Sequence, residues 1–160
     1  RFTGNDNADA DPEILVAIGD LSTSIGAADI TEVEMITTTA DKSEGFTISV
    51  RVRYNEPVDV VTTGGTPTLA VTNDNSGTGS GRGPHSLSYA SGTGTNELIF
   101  SLAIAAANAA TNADDVLSVG AQTIALNSGT IKDASGTASD AALVISGAVG
   151  TAAGTVTVTA

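Results

Sequence analysis

The nine residues FTISVRVRY, Phe46–Tyr54, constrain the fold of this chain more than any other stretch. Phe46, Ile48, Val50, Val52 and Tyr54 alternate with Thr47, Ser49, Arg51 and Arg53. Successive side chains of a strand point to opposite faces, so a period of two over nine residues predicts a strand with one face on a core and one in water. Two of the chain's four arginines fall on the wet face. Pairing with acids of a neighbouring strand explains them better than a ligand does, and ITEVEMIT (30–37) supplies Glu32 and Glu34. That segment sets Ile30, Glu32, Glu34 and Ile36 against Val33 and Met35, the pattern of a half-exposed or edge strand.

Further strand signals follow at close spacing. Pro57 in NEPVDVV has no N–H to give a ladder, so it is expected to end the first strand and begin a short edge strand. TPTLAVT, HSLSYA, NELIFSLAI, VLSVG, QTIALNSGTIKD, AALVIS and GTVTVTA continue the series, separated by turn sequences such as ASGTGTN. The alanine-rich AAANAATNADD (105–115) shows no amphipathic face and reads as a loop with at most one helical turn. Roughly nine to eleven short strands argue for an all-β chain, an antiparallel β-sandwich over residues 30–160. Residues 1–29 form a different block, an extended N-terminal arm or linker. Its apolar side chains Ile14, Leu15, Val16 and Ile18 are too few to fold alone and are expected to bind a partner, by adding a strand to a neighbouring sheet.

Charge narrows the list of partners. Eighteen acids against six bases give a net charge of −12, which disfavours nucleic acid and anionic membranes. The surface suits solubility, or a calcium-rich or saline medium that screens it. The longest apolar run, Ile14–Ile18, is far too short for membrane insertion. With no cysteine there is no disulfide, zinc–thiolate site or thiol nucleophile. A chain starting at Arg1 instead of Met suggests processing or excision from something larger.

The glycine-rich stretch TNDNSGTGSGRGPHSL (72–87) invites a phosphate-binding reading and fails it. Gly77 lacks the second glycine followed by Lys and Ser/Thr that a P-loop needs, and the stretch leads into a strand, not a helix N-terminus. It reads as a long hairpin-like loop that exposes Arg82 and His85, candidates for surface binding. His85 is the only histidine, so neither a transition-metal site nor a nucleophile–histidine pair is defined, and no enzymatic activity is expected. For calcium, the candidates are NDNADAD (Asp6, Asn7, Asp9, Asp11), NADD (112–115) and KDASGTASD (132–140). Solvated acids and Asx-turns account for the same residues.

Taken in order, GFTISVRVRYNEPVDVV, GTPTLAVT, LSYASGTGTNELIFSLAI and NSGTIKDASGTASDAALVI resemble a tandem Ig-like repeat of large bacterial surface proteins over Asp41–Ile145. The insert NDNSGTGSGRGPH and the alanine-rich AIAAANAATNADD depart from that repeat. Both look like the version found in virion structural proteins of marine cyanobacterial tailed phages. The resemblance implies an Ig-like sandwich without enzymatic activity, on a virion surface as a capsid-decorating or appendage protein. Other virion proteins, a lattice neighbour or a second copy would be its partners, and a host-surface glycan a possible ligand of the loop. The alternative is a module of a bacterial cell-surface adhesin, extracellular and rigidified by calcium. The alanine-rich variant has lost acids of the repeat, leaving Asp114 and Asp115 as the metal candidates. A carbohydrate-active accessory module lacks the exposed aromatic platform for stacking sugars, there being no Trp and only two Tyr.

Overall fold

The computed structural model describes residues 26–75, 84–106, 110–134 and 139–160. The alternating nonapeptide opens β3 (Phe46–Val61), and Ile48, Val50, Val52 and Tyr54 are each at most 1% exposed. β1 (Ile30–Met35) and β6 (Thr95–Ile104) flank it, both antiparallel. Register carries the alternation across the sheet: Val52 lies opposite Val33 and Leu98, and Val50 opposite Met35 and Phe100. Each such side chain fully buried contributes about 1.5–3 kcal/mol, which is why a one-residue slip is not tolerated.

Beyond β6 lie β5 (His85–Ser91) and then β4 (Thr68–Asn75). β4 folds the sheet over. Thr68–Val71 pair with β5, whereas Thr72–Asn75 pair with β7 (Asp115–Ser118). β11 (Thr155–Thr159) joins β7, and the two-residue β2 (Ala40–Asp41) pairs with β11 in parallel. The order is therefore β1-β3-β6-β5-β4-β7-β11-β2, one curled sheet whose two halves face each other as an all-β sandwich. The closing GTVTVTA is the penultimate strand of that order, with Val156 and Val158 buried.

Pro57 does not break the strand. β3 runs through it because the strand changes partners there: its register with β6 shifts between Arg53 and Val58, and Val58–Val61 pair with β9 (Thr130–Asp133). A residue without an N–H falls where the ladder is interrupted anyway, and its carbonyl accepts from Ala134 N at 3.0 Å. β8 (Gln122–Thr123) and β10 (Val144–Ile145) form a separate two-stranded pair. A short helix, α1 (Gly147–Ala152), starts where Ser146 Oγ accepts from Val149 N at 3.3 Å. Gly150 lies on Gly120, where a Cβ would stand 2.0 Å from the Gly120 carbonyl oxygen.

Packing reaches slightly upstream of Ile30. Ala28 is fully buried and its carbonyl accepts from Ala142 N at 2.8 Å, while Asp29 N donates to Asn55 Oδ1 at 2.8 Å. Tyr54 donates its hydroxyl to Ala142 O at 3.1 Å, and burial raises its pKa. No helix among the described residues is long and apolar enough to cross a membrane.

Candidate functional site

The residues singled out from the sequence fall into two groups. Ile14, Leu15, Val16 and Ile18 of the arm, Arg82 of the glycine-rich loop and the acids Asp6, Asp9 and Asp11 lie outside the described residues. His85, Asp114 and Asp115 are described, and two of them come together.

His85 is not the exposed loop residue that its glycine-rich context suggests. It is the first residue of β5, opposite Val71 of β4, and only 5% of it is exposed. Its partners come from elsewhere in the chain. Thr111 Oγ1 lies 3.2 Å from His85 Nε2, and Asn73 Nδ2 lies 3.5 Å from the same atom. An amide nitrogen can only donate, so a hydrogen bond from Asn73 requires Nε2 to accept, as it does in the neutral Nδ1–H tautomer. Asn73 Nδ2 also donates to Ala110 O at 2.6 Å, which ties β4 to the chain leading into β7. Burial pushes the His85 pKa below its ordinary value, and the negative charge of Asp115 opposes that shift.

Asp115 is 1% exposed. Its Oδ2 accepts from Asn112 N, three residues upstream, at 2.6 Å, bracing the turn from inside, and its Oδ1 is buried without a hydrogen-bond partner. Asp114 behaves differently. It is exposed, with φ of 67°, and its N–H donates to Val158 O at 2.8 Å. The two neighbouring acids thus split, one into the interior and one into water. The donors described around Asp115 supply one carboxylate, an imidazole, a hydroxyl and an amide, against the six to eight oxygens that calcium takes. No group of three or more His, Cys, Asp or Glu placed to hold a metal ion occurs among the described residues.

A second polar system covers the outer face of β1, β3 and β6. Arg51 pairs with Glu34 and, at 3.6 Å, with Glu97. Arg53 pairs with Glu32 at 2.8 Å and Glu97 at 2.6 Å. The sequence points to Glu32 and Glu34 as partners. Glu97 was missed, since only the β3–β6 register, Arg53 opposite Glu97, reveals it. The hydrogen bond from Arg53 holds the Glu97 carboxyl below its usual range, and the same bond raises the Arg53 pKa.

A groove of about 480 Å³ runs between β1 and α1, with Thr31 and Glu32 on one wall and Ala148 and Ala152 on the other. Its walls hold carboxylates, a hydroxyl and alanines, with no nucleophile–base pair. Comparison with known proteins finds no family model, curated protein or solved structure that matches the chain.

Proposed function

We propose that this chain is a non-enzymatic structural protein of a virion surface, a capsid-decorating or appendage protein built on one Ig-like sandwich. The single observation that carries the Ig-like part is the strand order. β1-β3-β6-β5 followed by β4-β7-β11 corresponds to the ABED and CFG sheets of that fold, with β2 as the strand that switches sheets. The virion part rests on the sequence resemblance. The non-enzymatic part fits where the titratable side chains go: His85 and Asp115 are buried, and on the outer face of β1, β3 and β6 two arginines pair with three glutamates.

In this reading, residues 1–29 attach the sandwich to its neighbour. Ile14, Leu15, Val16 and Ile18 add an apolar strand to a sheet of another virion protein or a second copy. The test is to incubate the purified chain with particles that lack it and to repeat this with Ile14→Asp/Val16→Asp. Capture of the wild type and loss of the double variant is the expected result. Equal capture of both would remove the arm from the attachment mechanism.

The alternative is a module of a bacterial cell-surface adhesin. Under that reading calcium rigidifies the junctions, and adding calcium to a calcium-stripped chain would raise its melting temperature.

A further inference from the structure

β1 is the end strand of the sheet order, with β3 on one side only. Its main-chain groups alternate between that side and the other. Ile36 N, next along the chain, donates to Ser49 O of β3, whereas Met35 N donates at 2.9 Å to Ala153 O just beyond α1. The same alternation turns the N–H and C=O of Val33 away from β3 and toward α1. Among the described residues Met35 finds its partner there and Val33 finds none, although Val33 is only 3% exposed. A main-chain group that is out of water and unbonded is rare in a folded protein, and marks a place where another segment of chain belongs.

The opening beside it is the groove of about 480 Å³, lined on the α1 side by Ala148, Val149 and Ala152. The two carboxylates on the β1 side, Glu32 and Glu34, are already paired with Arg53 and Arg51. The groove is short. The bond from Met35 to Ala153 closes one end, so the edge offers Thr31–Val33. A strand laid there has β1 beside it and an apolar helix wall against it. The segment ILVAI (14–18) is apolar at every position, the pattern of a strand covered on both faces.

The chain preceding the sandwich brings that segment within reach. The described residues begin at Gly26, whose φ of 107° turns the chain, and Ala28 O accepts from Ala142 N two residues before β1. Seven residues, Gly19–Ile25, separate Ile18 from that turn. They span up to about 23 Å, more than the return of about 10 Å from Ile30 to Val33. So short a tether gives a local concentration of about millimolar, ahead of any second copy in dilute solution. We propose that the β1–α1 groove is the docking site of the chain's own arm, with residues 14–18 running antiparallel to β1 and bonding to Val33. The proposal rests on the reading of the arm as a strand donor and adds its resting place. A hold through the bonds of one residue is weak enough for the longer sheet edge of a neighbour to take over.

Hydrogen exchange at the Val33 amide of the purified chain, followed by NMR, reads that bond directly. Ile14→Asp/Val16→Asp alters no described residue of the sandwich. It should speed exchange at Val33 by about fivefold or more and leave Glu34, whose N–H faces β3, unchanged. Ala152→Glu, on the exposed wall of the groove, should do the same from the other side. In the wild type the Val33 rate should not depend on protein concentration. An unchanged Val33 rate in either variant would overturn the proposal. So would protection that fades on dilution, which would give the groove to a second copy. No particle enters this experiment, so failure of the arm to dock and failure of the chain to bind particles are told apart.

Discussion

Two polar networks in this sandwich, one outside and one inside, hold it together under opposite conditions. On the outer face, Arg51 and Arg53 meet Glu32, Glu34 and Glu97, with side chains 29–50% exposed. In the interior, Asn73, His85, Thr111 and Asp115 are each at most 6% exposed. Water and salt compete with every outer contact, so charges there are inexpensive to place and worth little individually. Inside, no water stands in for a lost partner, so removing one group leaves another unsatisfied. The lesson concerns function as much as stability. From the sequence, His85 is a surface-binding candidate and Asp115 a metal candidate; in the fold both are buried, His85 beside Asn73 of β4 and Thr111 on the approach to β7.

Substitutions should separate the two networks in a fixed order of effect. Asn73→Ala removes the amide that bridges Ala110 O and the His85 ring, and should cost about 2 kcal/mol in urea unfolding. A loss within experimental error would mean that the interior network does not hold the loop. The second effect is a pH dependence. Burial depresses the His85 pKa from its ordinary 6.5, so the unfolded chain takes up the proton first as pH falls. The contribution of His85 is fully present above about pH 6.5 and is lost as pH falls through the folded value. His85→Gln should flatten that part of the stability profile, and an unchanged profile would show the ring to be solvated.

Asp115→Asn sharpens the same point, because removing its charge should lower the His85 pKa further. With only one histidine, its ring signals in an NMR titration need no assignment. A rise would mean that Asp115 does not act on His85 through its charge. The smallest effect belongs outside. Glu97→Gln should shift the unfolding midpoint slightly at low salt and not at all near about 1 M salt, since it removes only exposed pairs. A large, salt-independent loss would place that face in the same class as the interior.

What could be read in the sequence follows from what is local. The alternation of Phe46–Tyr54 and of Leu98, Phe100 and Ile104 fixes which face is buried, and Arg51 and Arg53 inherit their outward position from the same period. The turn chemistry that closes β5 onto β6 was also legible, with Gly92 at φ 116° and Gly94 at φ 78°. Partner choice was not. Continuation of β3 past Pro57 depends on β9, which lies more than sixty residues away. His85 sits after a glycine-rich stretch that signals exposure, but its burial is decided by Asn73, Thr111 and Asp115 converging from other segments. The helix over GAVGTA carries two glycines and no helical period. It is held by its Ser146 cap and by close contact with Gly120, neither of which a propensity scale registers.

The central proposal is that this chain is a surface component of a virion. It is met most directly by mass spectrometry of density-purified particles of a cyanobacterial tailed phage carrying the gene, with the copy number per particle counted. The account predicts the chain in the particles, at a copy number that follows the capsid lattice for a decoration or the tail symmetry for an appendage. Its absence from purified particles would contradict the account and leave the adhesin module as the reading.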